Sequence, residues 1–107
     1  MVDDFFNYRY GWEKFHGAVH SLAGHGTLHD RLENAYTFNI INLDCDQHIP
    51  ESVQESFNEL KAMMTSAEVL DGRVRASVQA MDDGELSRAV EMIIGIYDSI
   101  CRYMPKR

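Results

Sequence analysis

The sequence predicts an all-α fold, a compact single-domain helix bundle, and three observations carry the prediction. Apolar residues recur at alternating steps of three and four over long stretches. Helix start and stop residues bracket those stretches, and the one strand-like run has no second run to pair with. Length agrees, because 107 residues suit one domain with one core, a size that buries roughly two-thirds of the unfolded surface.

The first helix, about residues 4–23, is read from Phe5, Tyr8, Trp12, Phe15, Val19 and Leu22, which share one face of a 3.6-residue turn. It should stop near Gly24. Gly26 and Thr27 then form a turn, and Thr27 with Asp30 three positions on has the form of a capping box. The second helix, about 28–43, carries Leu28, Leu32, Ala35, Tyr36, Ile40 and Leu43, and the short loop folds it back on the first as an antiparallel hairpin. Its end, from Phe38 to Leu43, is rich in β-branched and aromatic residues, yet a lone six-residue strand could not pair, so it reads as helix.

Asp44 to His48 is a polar connection, and Pro50 stands where a first helical turn tolerates a missing N–H. The third helix, about 50–67, follows from Val53, Phe57, Leu60, Met64 and Ala67. A short helix near 70–81 rests on Leu70, Val74, Val78 and Met81. Asp82 with Glu85 is a second capping box, which opens a long helix over 83–103 through Leu86, Val90, Ile93, Tyr97, Ile100 and Met104. Ala89, Ile94, Ile96 and Cys101 make its middle apolar nearly all round, as a central helix would be, and Gly95 within it suggests close approach of a neighbour.

Composition narrows the function classes. Apolar residues are 45% and charged residues 25%, so a packed globule is expected and disorder is not. Seventeen acidic against ten basic residues leave a charge of −7. That field repels a phosphate backbone, so direct nucleic-acid binding is not expected and a basic protein surface suits the chain better. Cys45 and Cys101 allow only one bridge, which argues against a disulfide scaffold. The acidic start Met1-Val2-Asp3-Asp4 lacks the basic region of a signal peptide, and no apolar run nears the ~20 residues that span a bilayer. A cytoplasmic, membrane-free protein is the expectation.

Four side-chain groups are candidates for function. His16, His20, His25 and His29 are four of the five histidines. The i, i+4 spacing puts His16 and His20 on one helical face, and His25 and His29 could approach from the turn and the next helix to complete a tetrahedral zinc site. The competing reading, polar flanks beside the core stripe, is favoured by the lack of an H-E-x-x-H motif. It is favoured too by the loose placement of Glu13, Asp30 and Glu33, the carboxylates that could orient the rings. Asp44-Cys45-Asp46-Gln47-His48 gathers a thiol, carboxylates and an imidazole, but flanking carboxylates raise a thiol pKa, the reverse of what a nucleophilic cysteine needs.

The third group is aromatic: Phe5, Phe6, Tyr8, Tyr10, Trp12 and Phe15 are six of the eleven aromatic residues. One stripe cannot hold them all, so Phe6 and Tyr10 fall on a second side and, with Trp12, form a candidate interface, for which a homodimer is the simplest use. The fourth group is the acidic ridge Glu51, Glu55 and Glu59, a candidate docking surface for a basic protein, where a solvated face is the ordinary alternative.

The leading expectation is therefore a non-catalytic interaction or regulatory accessory protein, self-associating through its aromatic first helix or binding a basic protein. One alternative is a zinc-type helical protein, sensor or hydrolase, built on the four histidines. Another is a bundle that binds a small ligand among Tyr8, Trp12, Tyr36 and Tyr97.

Overall fold

The apolar stripe of the N-terminal segment forms one helix, α1 (Val2–Leu22), in the computed structural model, which describes the backbone of residues 2–105 and the side chains of residues 7–105. Phe15, Ala18 and Leu22 are buried along it. Its last carbonyl is met from the next helix, where Arg31 donates through Nη1 to the Leu22 carbonyl at 2.7 Å, and Nε of the same side chain donates to the Gly26 carbonyl of the connecting turn at 3.2 Å. A cation on the orphan carbonyls of a helix end is favourable both as hydrogen bond and as charge.

α2 (Leu28–Ala35) begins where the Thr27 hydroxyl accepts the Asp30 amide at 3.1 Å. This is one half of the expected box; the return bond from Asp30 is not made among the described residues. The expected single helix to residue 43 does not form. At Tyr36 the helix widens into a π-helical turn, Tyr36–Ile40, closed by the Ile41 amide on the Tyr36 carbonyl at 2.9 Å. The side-chain amide of Asn39 donates to the Ala35 carbonyl at 3.2 Å, the acceptor that an α-helix would reserve for the Asn39 backbone. Such competition, together with β-branched crowding at Thr37, Ile40 and Ile41, loosens an α-helical turn.

Asp44 to His48 is more than a polar connection. The Asp44 carboxylate accepts the Asp46 and Gln47 amides at 2.9 and 3.1 Å and so caps a one-turn helix, α3 (Cys45–His48). Pro50 is buried ahead of a single 3-10 turn, Glu51–Val53, rather than inside it, and α4 (Gln54–Met64) follows. α4 stops short of residue 67 because Thr65 returns its hydroxyl to the Lys61 carbonyl at 2.7 Å and leaves helical space.

α5 (Arg73–Gln79) is likewise shorter than expected. Gly72, at φ +67°, takes the left-handed conformation that only glycine adopts cheaply, and this stops the helix from reaching back to Leu70. Leu70, placed on the core stripe by its spacing, is 100% exposed. α6 (Asp83–Cys101) opens on the complete Asp82–Glu85 box, with reciprocal bonds of 2.8 and 3.0 Å.

α1 packs against α2, the π-helical turn, α3 and α6, while α6 also meets α2 and α4, and α5 closes on α2 and α4. The first and last helices thus share the central position expected of the last alone. Phe15, Leu32, Ile40, Leu60, Ile93 and Ile100 join in one core, and a radius of gyration of 13.6 Å is that of a single compact globule. Among the described residues there is no strand, and no helix is long and apolar enough to cross a membrane.

The close approaches lie on α1, not at Gly95. A Cβ at Gly11 would fall on the His48 carbonyl oxygen and one at Gly17 on the Asn39 side chain, whereas one at Gly95 meets nothing within 4 Å. Ile94 beside it is 49% exposed, so part of the apolar surface of α6 remains outside the core.

Candidate functional site

Helical spacing brings Trp12, His16 and His20 together on α1, and α6 supplies Tyr97 to the same cluster. The Trp12 and His16 rings stack with centroids 4.7 Å apart and planes 17° from parallel. His20 meets His16 edge-on at 4.5 Å. His16 Nδ1 and the Tyr97 hydroxyl share a hydrogen bond of 3.0 Å. Burial first, then the neighbouring Cys101, holds the Tyr97 phenol above its ordinary range. The cluster joins the two central helices by ring contact and one polar bond.

The other two histidines do not enter it. His25 is exposed in the turn after α1, and His29 donates from Nε2 to the Met81 carbonyl at 3.3 Å. Among the described residues no three or more histidine, cysteine, aspartate or glutamate side chains are grouped so as to hold a metal. The expected convergence of His16, His20, His25 and His29 on zinc is therefore not formed. Spacing fixed the pair on α1, but the rotation of α2 turns His29 toward the start of α6.

The tyrosines expected to line a ligand pocket are used in packing. Tyr36 is buried in the core, and Tyr8 meets Tyr103 edge-on at 5.1 Å. Of the expected interface, Phe6 has a side chain outside the described residues, and Trp12 is half-buried against the core. Tyr10 is 40% exposed, with the His48 ring 4.8 Å from its own and the Lys14 ammonium 5.4 Å over its face.

α3 turns the thiol-bearing segment into a closed structural unit. His48 Nδ1 accepts the Asp44 amide at 2.8 Å, so that nitrogen is committed to the backbone and offers no base to Cys45. The Gln54 side chain donates to the carbonyls of Cys45 and Ile49 at 3.2 and 2.9 Å, tying α3 to α4. Burial, and after it the charge of Asp46, pushes the Cys45 thiol up, with Asp44 adding to the shift and Asn58 and Lys61 opposing it. The direction is the one the sequence implies, but burial leads and the flanking acids follow. A nucleophilic cysteine needs the opposite shift.

The acidic ridge divides. Glu59 pairs with Arg88 of α6, both partly exposed, while Glu51 and Glu55 are exposed and make no ion pair among the described residues. Beside them lies a feature that sequence reasoning missed, an open trough of about 410 Å³ between the start of α4 and α6. It is lined by the apolar Val53, Met92 and Ile96, with Gly95, Ser56, Arg88 and Glu91. Phe38 is 72% exposed on the π-helical turn, and Leu70, whose spacing reads as buried, is likewise a surface group. The groups on this all-helical globule thus supply packing, capping and an acidic surface. Compared with known proteins, the chain matches no family model, no curated protein and no solved structure.

Proposed function

We propose that this chain is a small acidic accessory protein that works by binding a basic surface of another protein and carries out no chemistry itself. The observation that carries the reading is the pair Glu51 and Glu55, exposed on the 3-10 turn before α4 and in the first turn of α4, with no ion pair to either among the described residues. Like charges held close together on a surface cost a little in mutual repulsion. A complementary partner turns that cost into attraction and into faster, steered association. The overall charge of −7 extends the same field.

Affinity capture from the native host, comparing the wild type with a Glu51→Gln/Glu55→Gln variant, tests it. The captured protein should carry a basic surface. Its binding should weaken as salt shortens the screening length from ~10 Å at 0.1 M to ~3 Å at 1 M, and the variant should associate more slowly. Salt-independent binding, or capture unchanged in the variant, refutes the reading. A second reading, self-association through α1, is favoured by the exposure of Tyr10. It requires light scattering to show a dimer that Tyr10→Ala disrupts; a monomer at high concentration rejects it.

A further inference from the structure

We propose that the Tyr97 hydroxyl is a two-position proton switch that couples the charge of His16 on α1 to the ionisation of the Cys101 thiol on α6.

Three side chains converge on that hydroxyl. His16 Nδ1 lies 3.0 Å from it. The Trp12 indole, stacked on the His16 ring, and the Cys101 thiol, one turn along α6, are its other hydrogen-bond partners. A phenol has one proton to give and two lone pairs to receive with, whereas an indole N–H only donates. Trp12 therefore takes one lone pair in every state, and the single O–H must choose between His16 Nδ1 and the Cys101 sulfur.

The charge of His16 makes the choice. A neutral imidazole that accepts at Nδ1 carries its own proton on Nε2 and keeps the Tyr97 O–H. An imidazolium donates from Nδ1 to the Tyr97 oxygen, both lone pairs are then filled, and the O–H turns to Cys101. A thiolate is stabilised by that donation far more than a thiol is. The two protons can also move together. The Cys101 S–H bond breaks toward the Tyr97 oxygen as the Tyr97 O–H bond breaks toward His16 Nδ1, which leaves a thiolate and an imidazolium bridged by an unchanged phenol, with no proton gained or lost.

Little else competes for these charges. On α1, His20 meets His16 edge-on and Glu13 is paired with Arg9. On α6, Asp98 and Arg102 pair with each other, and Tyr103 beyond its end meets Tyr8. The elements packed on α1 direct their polar groups elsewhere: Arg31 to the Leu22 carbonyl, His29 to that of Met81, Asn39 to Ser21 and His48 to the Tyr10 ring. Among the described residues no carboxylate pairs with His16 or His20. Cys45 has no comparable partner, since His48 Nδ1 is committed to the Asp44 amide.

The test follows alkylation of Cys101 by iodoacetamide in a Cys45→Ser protein from about pH 5 to about pH 9. An uncoupled thiol gains thiolate, and with it rate, about tenfold per pH unit below its own range. The switch gives instead a shoulder across the range in which histidine loses its charge, because the thiolate loses its Tyr97 donor as His16 becomes neutral. Tyr97→Phe and His16→Gln should each restore the unbroken rise, while His20→Gln keeps the shoulder; circular dichroism checks that each variant is folded. Whether or not the variants fold, the ring nitrogen resonances of His16 in the parent should show the Nε2–H form at about pH 8. An unbroken rise in the parent, a shoulder that survives Tyr97→Phe, or an Nδ1–H form of His16 at that pH overturns the switch.

Discussion

Gly11, Gly17 and Gly95 lie in helix interiors, and replacing each by alanine separates intrinsic helix propensity from packing. Propensity alone predicts that Gly11→Ala, Gly17→Ala and Gly95→Ala all stabilise the protein by about 1 kcal/mol. With an unfolding entropy of about 2.1 cal/mol/K per residue, 107 residues convert that gain into a rise of about 4 °C in melting temperature. Gly95→Ala should show the full rise, since its methyl meets nothing within 4 Å. At Gly11 the methyl would fall on the backbone carbonyl of His48, which can yield only if α3 moves. Overpacking costs ~1–3 kcal/mol, and backbone contact belongs at the upper end. Against the propensity gain the net loss is about 2 kcal/mol, or about 9 °C. Gly17→Ala should fall between them, because Asn39 can swing away at the expense of its bonds to the Ala35 carbonyl and the Ser21 hydroxyl. Thermal unfolding followed by far-UV circular dichroism reads all three. Equal rises would show that α1 does not lie against α3 and the π-helical turn as described, and a fall at Gly95 would show that position to be covered within the fold.

Other predictions follow from single side chains. The buried Ser77 hydroxyl donates to the Arg73 carbonyl at 2.7 Å and accepts the Ala67 amide at 2.9 Å. Ser77→Ala leaves that amide unpaired and should cost ~1–3 kcal/mol in urea unfolding; a change below about 0.5 kcal/mol, the scale of an ordinary surface substitution, would mean the 65–72 loop is held by other contacts. Cys45, its thiol pushed up by burial and then by Asp46, should alkylate slowly at neutral pH and accelerate only above the ordinary thiol range. In a Cys101→Ser background, Asp46→Asn should move that acceleration to lower pH, and an unmoved profile contradicts the assignment. Burial also raises the pKa of the Tyr36 phenol. The folded state thereby prefers the neutral form, a contribution complete below the unfolded value of about 10 and lost as pH climbs through the folded one. Tyr36→Phe should therefore flatten the alkaline loss of unfolding free energy, and an unchanged slope argues against it.

Much of the fold is legible because its strongest signals are local. The alternating steps of α1 and α6, and the Asp82–Glu85 box, concern residues within a few positions of each other, and both helices form where those signals place them. Where the reading overreached, a side chain competes with the helix for backbone bonds, as Asn39 does at Ala35 and Thr65 at Lys61, or a glycine takes positive φ, as at Gly72. Apolar periodicity carries no trace of these. Leu70 keeps a perfect interval to Val74, yet the left-handed residue between them breaks the geometry that gives the interval meaning.

The site is less legible because it depends on how helices are rotated against one another. Spacing pairs His16 with His20 on one helix, but whether His29 joins them is decided by α2, and there it bonds to the Met81 carbonyl instead. Glu51, Glu55 and Glu59 form one ridge in sequence, yet among the described residues only Glu59 meets a cation, Arg88 of α6. The glycines make the same point in reverse. Gly11, Gly17 and Gly95 look alike in sequence, each an interruption in a helical stripe, and their reasons lie wholly in what faces them across space. Two are explained by α3 and the π-helical turn; at the third a Cβ would meet nothing within 4 Å among the described residues.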